Sequence, residues 1–280
     1  MFPSTIASAV LGIASALSWG AADFSGGLAS RRANSGVLVI VVNAVGIPLA
    51  VVIALIIGQP FPPITAILWG AAAGAAGALA LVAFYRALAD GAMGTLAPVA
   101  GVVGAVIPVV FAGVTQGLPP AHQIGGFGLA LAGVWFVSGA GGVFGISKPL
   151  GLALLAGVGF GMFFILIRQA NTPSVLWVLV ASKTSSAVTT LIPTLISRQS
   201  WQMPRQSWWL SLVAGVMDMG GNAFFLFAAE AGRLDIAVVL SSLYPASTVL
   251  LAGVVLKERV SRTQAWGVAA MLAALPLIVL

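Results

Sequence analysis

Asp23, Lys183 and Asp218 fall well inside long apolar stretches of the sequence, where an ionised side chain is rare. On helix-insertion scales such a group costs about 2.5–3.5 kcal/mol at membrane depth, so it faces a protein interior and pairs, binds or carries a proton. Lys183 and Asp218 lie on consecutive apolar segments, 19 residues before and 16 after the centre of a polar connection near residue 202. At 1.5 Å per residue their heights differ by about 5 Å, which allows an ion pair. That pair reads in two ways: as a fixed neutralisation of two buried charges, or as a switch in which Asp218 exchanges Lys183 for a proton or a substrate amine. Asn222 follows Asp218 by four residues on the same helix face and is placed to share a ligand.

Asp23 and Asn43 stand 11 residues before and 9 after a turn near residue 34, so they are expected to face one another at nearly equal depth. Trp19, one turn from Asp23, suits an organic ligand, or a cation over its ring face. The simpler alternatives are that Trp19 fills the bundle and that Asp23 caps backbone groups in the glycine-rich stretch from Gly20 to Gly27. Tyr85 and Tyr244, the only tyrosines, each carry a hydroxyl that needs a partner when buried, on a substrate or on another helix. Arg86 with Asp90, Glu230 with Arg233 and Lys257 with Glu258 read as helix-end ion pairs.

The elements that must position these groups are set by composition. Hydrophobic residues make up 60% of the 280, charged residues 6%, and the mean hydropathy is +1.11. A soluble domain carries about a quarter charged residues, so lipid must supply the skin here. A spanning helix needs about 20 apolar residues, and ten such runs fill the chain: 4–29, 36–58, 64–88, 93–116, 122–142, 150–169, 175–197, 207–229, 236–256 and 263–280. The breaks fall at Arg31-Arg32-Ala33-Asn34, Gln59-Pro60-Phe61-Pro62-Pro63, Leu118-Pro119-Pro120, Ser147-Lys148-Pro149, Asn171-Thr172-Pro173, Arg198 to Arg205 and Lys257-Glu258-Arg259. Proline ends or turns a helix there. The first run begins at Met1-Phe2-Pro3 without a basic flank and reads as a spanning helix rather than a cleaved signal peptide.

Net charge is +6, but the basic residues stand singly or in pairs at the ends of apolar runs, and no basic stripe interleaved with aromatics exists to follow a nucleic acid. Odd-numbered connections hold nine Lys and Arg (Arg31, Arg32, Arg86, Lys148, Arg198, Arg205, Lys257, Arg259 and Arg262) against Arg168 and Arg233 on the other side. The positive-inside bias then places the odd connections in the cytoplasm and both termini outside, in a plasma (inner) membrane. Trp69, Trp177, Trp201, Trp208, Trp209 and Trp266 sit near helix ends as interfacial anchors, leaving Trp19 and Trp135 nearer helix centres. With no cysteine and a single histidine, His122, thiolate and multi-histidine metal chemistry are excluded, and no metal or other cofactor is expected. No nucleotide loop ending in Gly-Lys-[Ser/Thr] is present, so ATP drive is not encoded.

The halves resemble each other. A shift of 141 residues pairs Gly74 with Gly215, Phe84 with Phe225, Gly91 with Gly232, Gln123 with Gln264 and Gly126 with Gly267; a shift of 139 pairs Gly12 with Gly151, Gly20 with Gly159 and Phe24 with Phe163. The expected fold is all-α, ten transmembrane helices as two inverted five-helix repeats, 1–145 and 146–280. Five helices is an odd number, so the second copy enters from the opposite side. That design is typical of secondary transporters, with a site near the midplane between the repeats. Small residues, as in Gly70 to Gly77 and Gly157 to Gly161, let backbones approach closely. Pro98 and Pro245 are hinge candidates among the prolines inside helices, which include Pro48, Pro108 and Pro193.

Several motifs together resemble the EamA-type branch of the drug/metabolite transporter superfamily. They are Leu17-Ser18-Trp19-Gly20 in the first helix, Phe84-Tyr85-Arg86-Ala87-Leu88 closing the third, and a C-terminal series similar to the family's "Pro…Gly-Glu-Arg…Gln…Gly" ending. That series runs Leu243-Tyr244-Pro245, Leu256-Lys257-Glu258-Arg259 and Gln264-Ala265-Trp266-Gly267. The first copy departs from the pattern, with Gly104 opposite Pro245 and Gly117 opposite Glu258. The resemblance implies a ten-helix exporter of small metabolites or drugs, commonly amino acids, coupled to an ion gradient or to exchange. A carboxyl away from water can carry a proton, which makes Asp23 and Asp218 the coupling candidates. The partners expected are a small-molecule substrate, lipid and a proton. A second copy is a further candidate, at the fifth or tenth helix. The alternatives are a channel or accessory subunit, and a membrane enzyme, for which no catalytic constellation is present.

Overall fold

The computed structural model describes residues 4–116, 121–139, 147–170, 172–196, 198, 200–231, 240–241, 243–259 and 261–279. These form ten helices: α1 (Ser4–Ser30), α2 (Ser35–Ile57), α3 (Ile64–Asp90), α4 (Met93–Gln116), α5 (Ala121–Gly139), α6 (Lys148–Arg168), α7 (Val175–Ile196), α8 (Arg205–Ala231), α9 (Tyr244–Val255) and α10 (Arg262–Val279). Six of them (α1, α2, α3, α6, α7 and α8) are long and apolar enough to cross a membrane, and the other four contain shorter apolar helical stretches. The chain is a multi-pass helical membrane protein.

Local chemistry sets the ends. The Asn34 side chain accepts from Gly36 N and Val37 N at 2.9 and 3.3 Å and so opens α2. Gly58 closes α2 in the left-handed region at φ 70°, where a side chain would be strained. Ser147 caps α6, with Pro149 in the first turn, where its missing N–H is not needed.

One helix differs from the sequence expectation. The run 236–256 was expected to be continuous. Residues 232–239 and 242 lie outside the described residues, and Leu243 is a turn, with the regular helix starting at Tyr244. Pro245 therefore stands in the first turn of α9 rather than inside a helix, and breaks no bond of its own. Pro98 does lie inside α4.

The surface is reversed relative to a soluble protein. Ile56, Val114, Ile196 and Val254 are each more than three-quarters exposed. Ser8, Ser15, Asn43, Ser182, Lys183, Ser186, Thr190, Thr194, Ser211 and Thr248 are buried. Without a hydrophobic drive between helices in lipid, close contact of small residues does the packing. α1 packs along α8 and α3 along α6; α2 packs on α7, α5 on α10, α4 on α6, and α3 on α7, while α9 crosses α1 and α4. Serine hydroxyls stitch α1 to α8, with Ser8 Oγ donating to Ala228 O at 2.8 Å and Ser15 Oγ to Gly221 O at 2.9 Å.

Candidate functional site

Lys183 and Asp218 form the expected ion pair, joining α7 to α8. To reach Asp218, the lysine stem passes over Gly46 of α2. A Cβ built on Gly46 would lie 2.9 Å from Lys183 Cδ and 3.0 Å from Cε, so the glycine makes the route. Lys183 is buried, whereas the Asp218 side chain keeps 29% of its surface. The pair is therefore accessible from its acidic end. Asn222 Nδ2 donates to Asp218 O at 2.7 Å, so its amide nitrogen is held by its own helix.

Asp23 stands on α1, which packs along α8, half-buried. It lies within electrostatic reach of Asp218 and of the Tyr85 hydroxyl. Among the described residues no side chain bonds to the Asp23 carboxylate. The expected meeting of Asp23 with Asn43 is not found. Asn43 Nδ2 donates to Val39 O at 2.8 Å and to Ser186 Oγ at 3.0 Å, and so belongs to the seam between α2 and α7. Equal depth along two helices fixes height, not azimuth, and the two side chains point to different neighbours.

Trp19 crosses Gly221 of α8, where a Cβ would fall 2.7 Å from the indole Nε1. Its ring lies 6.0 Å from Phe225 and 6.1 Å, edge to face, from Tyr244. These aromatic pairings form a wall beside Asp23. Tyr244 stands at the break before α9, within electrostatic reach of Asp23, and Trp19, Asp218, Asn222 and Tyr244 are all half-buried. Tyr85 is fully buried against Gly26, and its backbone oxygen accepts from Ser30 Oγ at 2.7 Å. The structure thus brings together Trp19, Asp23, Tyr85, Asp218 with Lys183, and Tyr244. Asn43 is left in the α2–α7 seam.

Of the helix-end pairs, Arg86 and Asp90 meet at 4.0 Å across one helical turn. Glu258 pairs with Arg31 at 3.2 Å, not with Lys257. The Lys257 backbone is left-handed, at φ 54°, and turns Glu258 back over the bundle. Arg233 and the Glu230 side chain lie outside the described residues, as do Gly117, Gly232 and the side chains of Gln123, Trp135 and Gln264. Phe225 is the site-wall residue that the sequence reading used only as a repeat marker. Its place one turn from Gly221 on α8 was the available signal.

Residues 147–280 match the family model described as the EamA-like transporter family. No curated protein matches the sequence significantly. A crystal structure of a protein 21% identical in sequence superimposes with a TM-score of 0.63, over 96% of this chain and 97% of that one. At that identity the likeness concerns the fold. Residues 147–280 are thus similar to the EamA-like transporter family.

Proposed function

We propose that this multi-pass protein, with its EamA-like domain, is a secondary active transporter that exports small organic metabolites, amino acids or related amines, by alternating access. The observation that carries the reading is the meeting of chemistry from both halves at one place. Trp19 and Asp23 come from the first, and the Lys183–Asp218 pair, Phe225 and Tyr244 from the second. Lys183 and Asp218 neutralise each other, so among the described residues Asp23 is the acid beside the aromatic wall with no side-chain partner. An ammonium group over that wall would gain both a carboxylate and a ring face. A proton on the same carboxylate, or a second solute, would compete with it and couple the fluxes.

Two inverted five-helix repeats, 1–145 and 146–280, make alternation possible. Packing supports them: advancing each helix by five turns the α1–α8 contact into α6–α3, α2–α8 into α7–α3 and α1–α9 into α6–α4, while α2–α7, α4–α9 and α5–α10 map onto themselves. The register pairing Phe84 with Phe225 also pairs their roles, since Phe84 meets Phe160 of α6 at 5.5 Å as Phe225 meets Trp19 of α1. In that register Gly77 stands where Asp218 does, so the charged pair occurs in one copy. The remaining elements of the reading are ten spans, both termini outside the plasma membrane, lipid on the outer faces and a second copy at α5 or α10.

A ligand that binds the folded state raises its stability by RT ln(1 + [L]/Kd). A melting-temperature screen of the purified protein against amino acids and organic amines should give at least one stabilising amine that Asp23→Asn or Trp19→Ala abolishes. Stabilisation that persists in both variants would move the site elsewhere. If no compound stabilises the protein or moves across a vesicle membrane, the accessory-subunit reading gains.

A further inference from the structure

Glu258 bonds none of the residues of the proposed solute site, yet its carboxylate joins three elements. Oε1 accepts from Met93 N at 3.2 Å and from Arg31 Nη2 at 3.2 Å, while Oε2 accepts from Gly94 N at 3.0 Å. The two amides are the first of α4, whose unsatisfied N–H groups and positive dipole end favour an anion. Arg31 follows the end of α1, and Glu258 follows the end of α9. A carboxylate with two charge-assisted backbone bonds and an arginine partner is a strong tie.

This tie sits where the bundle has to part for one side to open. A Cβ on Gly94 would lie 3.9 Å from Ala252 Cβ and 4.0 Å from Val249 Cγ1 of α9, and one on Gly101 would lie 2.8 Å from Pro245 Cγ. The Gly94–Gly101 face of α4 therefore lies directly on α9. Around it the other odd connections also close. Arg32 Nη1 donates to Gln206 Oε1 at 2.9 Å, and Ser207 Oγ donates to Ala29 O at 3.2 Å. The backbone that aims Glu258 is itself unusual, because Lys257 adopts φ 54° without being glycine. At the equivalent place in the first copy the sequence has Gly117, which has no side chain to make such a tie.

We propose that Glu258 is the latch that holds the odd-connection end of this protein shut, tying the N-terminus of α4 and Arg31 to the end of α9. Opening that end separates α4 from α9 and must break all three bonds. The latch builds on the transporter reading but is tested without transport. The chain contains no cysteine, so Ala97→Cys, fully buried between Gly94 and Gly101 in the sequence of α4, gives one thiol at the closed end. Full-length protein carrying it is labelled with a membrane-impermeant maleimide in vesicles of each orientation. Labelling from the odd-connection side is expected to be slow, and to quicken about tenfold or more when Glu258→Gln is added, as loss of a charge-assisted tie implies. Arg31→Gln should give a smaller increase in the same direction. An unchanged rate in Glu258→Gln protein of undiminished melting temperature would overturn the latch. So would a rate that rises equally from both sides, which is general loosening. Either result leaves the solute site untouched, while absence of any transported solute leaves the labelling result standing.

Discussion

Single residues carry the chemistry, and two of them can be tested by stability. Removing one partner of the Lys183–Asp218 pair leaves the other charge inside the protein. A fully buried pair costs about 3–5 kcal/mol to break this way; the accessible Asp218 side chain lowers that to about 1–3 kcal/mol. Lys183→Met and Asp218→Asn should therefore each lower the melting temperature. Lys183→Met with Asp218→Leu should recover most of the loss, because neither charge remains, yet stay inactive in transport. Recovery of transport in the double variant would reduce the pair to a structural role. Lys257→Gly should raise stability by about 1 kcal/mol, since the left-handed backbone costs a lysine about that much; the shift in melting temperature reads it directly. The family's Gly-Glu-Arg pattern, with glycine at this position, is what the observed φ explains. The sequence carried that signal, but the partner of Glu258 lies 227 residues away and no local rule points to it.

At the scale of helices, small residues set how closely elements meet. A Cβ on Gly20 would fall 2.8 Å from Tyr244 O and 3.0 Å from Thr248 N, so α1 and α9 touch through backbone. Gly20→Val should cost about 1–3 kcal/mol by overpacking and push Trp19 away from Tyr244. On α5, a Cβ at Gly125 meets nothing within 4 Å, so Gly125→Ala should be neutral or gain up to about 1 kcal/mol in helix propensity. Thermal unfolding of the two variants in detergent checks the contrast. Helix ends were largely legible, because Asn34, Gly58 and Ser147-Lys148-Pro149 are chemical stop and start signals. The start of the ninth helix was not, since apolar residues on both sides of Leu243 conceal the turn there, where α9 lies against Gly20 and Gly101. Depth was legible for the same reason that azimuth was not. Counting residues put Lys183 level with Asp218 and Asp23 level with Asn43, but only packing decides that Asn43 faces Ser186.

At the scale of the whole molecule, the proposed function needs one candidate centre drawn from both halves of the chain, Trp19 and Asp23 with Lys183, Asp218 and Tyr244. The protein's class was readable from hydropathy alone, and the motifs at Pro245 and Glu258 fall within the residues that match the EamA-like family model. The different surroundings of Phe84 and Phe225 needed the structure: Phe84 packs on Phe160, while Phe225 stands beside Trp19. The most direct test is charge movement in proteoliposomes, recorded on a solid-supported membrane across a panel of amino acids and organic amines, with electroneutral exchange of labelled solute run in parallel. The account predicts a solute-evoked signal that Asp23→Asn abolishes and that Asn43→Ala, in the α2–α7 seam, reduces far less. Transport that survives Asp23→Asn undiminished would contradict it.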